Sequence, residues 1–216
     1  MNEQQLRQHL IATGMELNAM GLNRGTSGNL SARCGEGFLV TPSGLTCEEM
    51  EAADIVFMGF DGRCSGSRNP SSEWRFHRDI LASRPEIGAV VHTHSMFATT
   101  LACLALDIPA FHYMIALAGG NDIRCAPYAT FGSEELSAHA LRALAGRRAC
   151  LLANHGMIAL GTTPADAAAL ALEVETLCGQ YARALQIGTP KLLSDAEMDV
   201  VLEKFKNYGR QAHDPA

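Results

Sequence analysis

Apolar positions along the chain follow two rhythms. Leu6, Leu10, Ile11, Met15 and Leu17 recur at helical spacing over residues 3–20, and Gly21 supplies a stop. Beyond it the period shortens. Residues 29–33 and 37–41 read as short strands around a turn at Gly35-Glu36, and residues 54–60 as a third that ends at the hairpin signal Asp61-Gly62. Thr46 to Glu49 has the form of a capping box opening a short helix. Residues 73–83 predict a helix that stops ahead of Pro85, because the residue before a proline is driven out of the helical region. Residues 88–91 form a short apolar run that reads as a buried strand reaching Thr93, and a helix is predicted from Ser95 to Leu106.

Residues 108–132 are broken by Pro109, Gly119-Gly120, Pro127 and Gly132 and read as irregular. Ser133 caps a helix reaching Leu144, and strands are predicted at 150–153 and 157–160, on either side of Asn154-His155-Gly156. Thr163-Pro164 opens an alanine-rich helix to Leu185, with proline where its missing N–H costs nothing. Ser194 to Glu197 is a capping box for a last helix ending near Tyr208-Gly209. Strands that arrive in adjacent pairs predict an α/β fold with a mixed, mostly antiparallel sheet and helices on both faces.

Bulk properties narrow the picture further. A chain of 216 residues, 47% hydrophobic and 19% charged, fits one domain over 1–216. A net charge of −6 argues against non-specific nucleic-acid binding, which needs a basic face. The 7 cysteines are odd in number and make no C-x-x-C unit, so they read as free thiols in a reducing cytoplasm. The N-terminus lacks a signal-peptide pattern, and no stretch has the length and apolarity of a membrane span.

Candidate chemistry begins at VVHTH. Strand alternation puts His92 and His94 on one face and Thr93 on the other, so two imidazoles about 6–7 Å apart at the backbone can converge on one cation. A third is best sought at His155, on a turn leaving the core, with His112 as competitor; His77 and His139 fall on predicted helix surfaces. Three imidazoles suit Zn²⁺ and leave a position open for substrate. Glu73, behind Ser71 and Ser72 at a helix start, is the candidate base, although a carboxylate there also simply favours the helix dipole. The same helix start, Gly25-Thr26-Ser27-Gly28-Asn29 and Pro42-Ser43-Gly44 are turns rich in N–H groups and hydroxyls. No Gly-Lys-Ser/Thr follows any of them, which argues against a nucleoside triphosphate and for a small phosphorylated ligand.

GLNRGTSGNLS, TPSG, PSSEWRFH, VVHTH, IPAFHYMIALAGGN, CAPYATFGSEELS, NHG and VLEKFKNYG together resemble the class II aldolase/adducin-like family over nearly the whole chain. The resemblance implies a three-layer α/β/α fold, a homotetramer with sites at subunit interfaces, and a mobile C-terminal tail. It implies one Zn²⁺ per subunit on His92, His94 and His155, with Glu73 as resting ligand and base. Phosphate is implied at Gly28, Asn29, Ser43, Gly44, Ser71 and Ser72. Tyr113 and Phe131 are implied at the aldehyde end, from a neighbouring subunit, and Tyr208 on the tail. The activity implied is reversible cleavage of a ketose 1-phosphate, L-fuculose 1-phosphate or a 5-deoxy or methylthio pentulose 1-phosphate, into dihydroxyacetone phosphate and an aldehyde. A 4-epimerase of L-ribulose-5-phosphate type usually carries aspartate where this chain has Glu73, and an adducin-like oligomerisation domain lacks metal ligands. A dehydratase on methylthioribulose phosphate would reuse the three histidines.

Overall fold

A computed structural model describes residues 2–206. Helix α1 (Glu3–Ala19) starts at Asn2, whose Oδ1 accepts the Gln5 N–H at 2.9 Å while Gln5 Oε1 accepts the Asn2 N–H at 3.0 Å. Its buried line is Leu10, Thr13, Gly14 and Leu17, spaced i, i+3, i+4, i+7. Met15, expected on that stripe, sits one position off it and faces solvent. β1 (Asn29–Cys34) and β2 (Gly37–Val40) form the first hairpin. Residues 46–49 close a turn and not a helix. The Thr46 hydroxyl donates to the Glu49 carboxylate at 2.8 Å instead of accepting the backbone N–H, which goes to the Thr46 carbonyl. A 3-10 turn, Ala52–Asp54, shortens the next strand to β3 (Val56–Gly59).

The Asp61-Gly62 turn leads to β4 (Cys64–Ser65), a two-residue edge strand exposed throughout and so without an apolar pattern to read. Helix α2 (Trp74–Ser83), β5 (Ala89–Thr93) and α3 (Met96–Cys103) follow, α3 ending short of Leu106 because Ala105 turns left-handed at φ 51°. The irregular stretch holds a 3-10 run, Tyr113–Ala118, and β6 (Cys125–Ala126). Then come α4 (Glu134–Ala143), β7 (Ala149–Leu152), β8 (Gly156–Gly161), α5 (Pro164–Ile187) and α6 (Asp195–Phe205). Tyr208 and the rest of the tail lie outside the described residues.

Among the described residues 8 strands make one sheet in the order β4-β3-β2-β1-β5-β8-β7-β6, antiparallel except for β6 with β7. Alternation along β5 sends Val90 to one core, with Phe38, Phe76, Ile80 and Leu136 under α2 and α4. It sends Ala89 and Val91 to the other, with Leu10, Leu101, Val174 and Met198 under α1, α3, α5 and α6. The chain is therefore a three-layer α/β/α sandwich. Among the described residues no helix is long and apolar enough to cross a membrane.

Candidate active site

Antiparallel pairing gathers loops at one edge. Because β1 pairs with β5 and β5 with β8, the start of β1, the end of β5 and the start of β8 lie side by side: Asn29 pairs with His92, and Thr93 with Met157. β2 ends at the same edge, where Pro42 bridges Pro70, Ser43 N–H donates to Asn69 O at 3.1 Å and Ser71 N–H to Thr41 O at 3.0 Å. The loop after β6 arrives there too, since β6 runs parallel to β7.

Four side chains converge on this edge. Donor atoms of Glu73, His92, His94 and His155 all lie within 4.8 Å of one another. His92 Nε2 is 2.9 Å from His94 Nε2 and 3.2 Å from Glu73 Oε2, and His155 Nε2 is 3.2 Å from Glu73 Oε1. The three rings meet edge-on at centroid separations of 4.8, 4.8 and 4.9 Å. Gly156 permits this approach, since a Cβ there would stand 2.3 Å from the Thr93 carbonyl oxygen and 2.9 Å from the His94 ring. Asn154, left-handed at φ 56°, turns the chain so that His155 faces back to the cluster. The start of α3, directly after His94, is held by Glu175 of α5, which accepts from Ser95 Oγ at 2.7 Å, Phe97 N–H at 2.8 Å and Ala98 N–H at 2.9 Å. That carboxylate caps α3 in place of the Ser95 side chain.

The donor set fits a divalent cation. The Met157 carbonyl lies 2.9 Å from His92 Nδ1, which fixes the proton there and turns the Nε2 lone pair inward. Glu73 Oε1 is buried and makes no hydrogen bond, although His155 Nε2 stands 3.2 Å away, an arrangement costly for a carboxylate unless a cation completes it. Burial by itself raises the Glu73 carboxyl. The facing His92 and His155 imidazoles and the Asn29 amide outweigh that and hold it well below the usual carboxylate range. Burial, reinforced by the neighbouring imidazoles, pushes His94 and His155 down to about 4. Neutral imidazoles beside an ionised carboxylate are the protonation states that metal binding requires.

Beside the cluster opens a cavity of about 360 Å³, the size of a small ligand, bordered by Thr26, Ser27, Gly28, Asn29, Pro42, Ser43, Gly44, Ser71, Ser72, Glu73, His94, Tyr128, Ala129, Phe131, Asn154 and His155. Gly28 is required at φ 79°, where a Cβ would also meet Asn23 Oδ1 at 2.3 Å. The N-terminus of α2 faces the cavity through Ser71 and Ser72, so its dipole favours an anion there, while the Glu73 and Trp74 N–H groups are taken by Ser71 Oγ at 3.3 Å and Ser71 O at 3.1 Å. Ser43 and Ser71 have their backbone N–H groups committed to Asn69 and Thr41, so each brings a hydroxyl.

The proposed site residues separate into groups. Glu73, the three cluster histidines and all six phosphate candidates border one cavity or its floor. Phe131 borders the cavity of its own chain. Its loop is held there by Arg75, whose Nη1 donates to Gly132 O at 2.9 Å. Tyr113 instead borders a separate groove with Met114, Leu117, Val201, Lys204 and Phe205, 50% exposed. His112 belongs to that region, where it caps the 3-10 run. His77, expected on a helix surface, is fully buried. Its signal was present: it lies one turn after Glu73, in register with Ile80 and Leu81 on the buried face. Asn29, expected on phosphate, commits its side chain to Glu73 and His77. Tyr128, Asn154, Arg75 and Glu175 were not anticipated.

A three-layer α/β/α fold with a carboxylate and three imidazoles at one sheet edge, beside an anion-sized cavity, defines a metal-binding protein of enzyme type. The chain belongs to the Class II Aldolase and Adducin N-terminal domain family, whose model matches residues 8–182. It is 59% identical over 211 residues to a 5-methylthioribulose-1-phosphate/5-deoxyribulose-1-phosphate aldolase of Rhodospirillum rubrum, covering 98% of this chain and 96% of that one. It is 48% identical over 210 residues to an L-fuculose phosphate aldolase of Escherichia coli, covering 97% and 98%. A solved structure of an L-fuculose 1-phosphate aldolase superposes with a TM-score of 0.91 at 43% identity, over 94% of this chain and 96% of that one.

Proposed function

We propose that this chain is a zinc-dependent class II aldolase of the cytoplasm. It reversibly cleaves a ketose 1-phosphate, L-fuculose 1-phosphate or a related 5-deoxy or methylthio pentulose 1-phosphate, into dihydroxyacetone phosphate and an aldehyde. The observation that carries the reading is the meeting of Glu73, His92, His94 and His155 at the mouth of a hydroxyl-lined cavity. The names of the relatives at 59% and 48% identity support the substrate class. The 7 unpaired thiols fit a reducing compartment.

His92, His94 and His155 would hold the cation with Glu73. When bound, it supplies Lewis-acid stabilisation of negative charge on the substrate oxygens. The hydroxyls of Ser43, Ser71 and Ser72, the Gly28-Asn29 and Gly44 turns and the start of α2 hold the phosphate and so orient the carbon chain. In the condensation direction Glu73 takes a proton from the hydroxymethyl carbon of dihydroxyacetone phosphate. That carbon attacks the aldehyde carbon, and Tyr113 of a neighbouring subunit protonates the aldehyde oxygen, with Phe131 walling the aldehyde end. Cleavage runs these steps in reverse. Sites shared between subunits of a homotetramer are supported by Tyr113, which borders a groove other than its own chain's cavity.

The test is a panel of ketose 1-phosphates in a coupled assay for dihydroxyacetone phosphate. Release that a chelator abolishes and zinc restores is the expected result. Turnover of L-ribulose 5-phosphate without triose-phosphate release would select the 4-epimerase, and absence of any bound divalent cation the oligomerisation role.

A further inference from the structure

Behind Glu73, a file of three hydrogen bonds runs into the core. Asn29 Nδ2–H donates to Glu73 Oε2 at 3.0 Å. Asn29 Oδ1 lies 2.6 Å from His77 Nε2, and His77 Nδ1 lies 2.7 Å from Ser31 Oγ. Ser31 and His77 are fully buried and Asn29 is 6% exposed, so the file runs away from bulk solvent. The carboxylate can only accept, which turns the Asn29 amide nitrogen toward Glu73 and its oxygen toward His77. An amide oxygen also only accepts, so His77 carries its proton on Nε2 and receives the Ser31 hydroxyl at Nδ1. Each donor then meets one acceptor, all pointing one way toward Glu73.

We propose that His77, oriented by Ser31, is a positioning residue that locks the Asn29 amide against Glu73 Oε2 and leaves Glu73 Oε1 free for the cation and the substrate proton. The proposal rests on the reading of Glu73 as ligand and base. Glu73 is the last residue before α2, makes no cap bond with its own side chain, and has a long flexible stem. Without the amide its carboxylate would sample several rotamers in the space beside the histidines. An imidazole that merely filled the core would be replaceable by an apolar side chain, since Phe76 stacks on it at 4.6 Å and Ile80 and Leu81 share its helix face.

The experiment compares His77→Leu with His77→Gln in the full chain. Zinc affinity is read by competition with a chromophoric chelator, and folding by thermal unfolding of the metal-free protein. His77→Leu should weaken zinc binding by about 10–100-fold, the usual loss when the partner of a ligand is removed. His77→Gln, whose amide N–H can still reach Asn29 Oδ1, should recover most of it. Solvent deuterium exchange into dihydroxyacetone phosphate should fall in the same order with KM little changed. A folded His77→Leu protein that binds zinc as tightly as wild type overturns the proposal. If that variant does not fold, long-range proton–nitrogen NMR of the wild-type imidazoles decides. A neutral Nε2–H tautomer at His77 supports the relay, and an Nδ1–H tautomer or an imidazolium at pH 7 overturns it. Wild-type protein that binds zinc but exchanges no proton counts against the substrate reading alone, and leaves the zinc comparison valid.

Discussion

At the scale of single residues the site works by taking polar groups out of water and pairing them in one direction. Glu73 keeps its charge although it is buried, because two imidazoles and an amide face it. Glu73→Gln keeps the shape and removes the base, so kcat for triose-phosphate release should fall by about 10²–10⁴-fold. Burial pushes His77 down to about 3. The unfolded chain binds a proton at His77 near pH 6.5 and the folded chain does not, so stability is lost as pH falls from 6.5 toward 3. His94 and His155, held at about 4, act in the same direction. Each such proton gives a slope of about 1.4 kcal/mol per pH unit. In metal-free protein, His77→Gln should therefore lower the slope of unfolding free energy between pH 4 and 6 by about one proton, measured by denaturant titration at several pH values.

Between elements, the decisive contacts are those that bring one helix or strand to the mouth of another. Glu175 reaches from α5 to take three donors at the start of α3, directly after His94. Glu175→Ala leaves buried N–H groups unpaired and should cost about 1–3 kcal/mol. In a chain of this size that is a fall in Tm of about 2–4 °C per kcal/mol, accompanied by weaker zinc binding because the helix start that follows His94 loses its cap. β5 and β8 approach closely at Gly156, where a Cβ would stand 2.3 Å from the Thr93 carbonyl oxygen. Gly156→Ala should separate the strands where His94 and His155 meet, so calorimetry of the metal-free protein should show the loss of stability and competition titration the loss of metal affinity.

Over the whole molecule, the antiparallel sheet brings the working loops to one edge and leaves Tyr113 on a different surface. If neighbouring subunits complete each other's sites, Tyr113→Phe and Glu73→Gln chains, each impaired alone, should form hybrids in which some sites carry both wild-type residues. Co-expression should recover a substantial part of the lost rate, read as triose-phosphate release from the purified mixture. Recovery no greater than the sum of the separate variants would place the two residues in one subunit's site.

Local pattern sufficed for what local chemistry decides. The long helices are legible because capping residues and apolar spacing act within a turn or two, as at Ser133, Thr163 and Ser194. The H-x-H pair is legible because strand alternation alone puts both rings on one face. The brief strands β4 and β6 are not, since two residues carry no period and their pairing comes from the neighbouring strand. The turn at 46–49 misled because a capping box states only how a helix can begin, not whether one continues. His77 and Asn29 show the larger limit. A helix residue is exposed or buried according to what packs on it, and an amide binds whichever partner the fold brings nearest. The sequence by itself determined the helices, the paired strands and the donor types. Tertiary structure alone decided that Asn29 serves Glu73 and that Glu175 holds α3, because burial and hydrogen-bond pairing depend on residues brought together from distant parts of the chain.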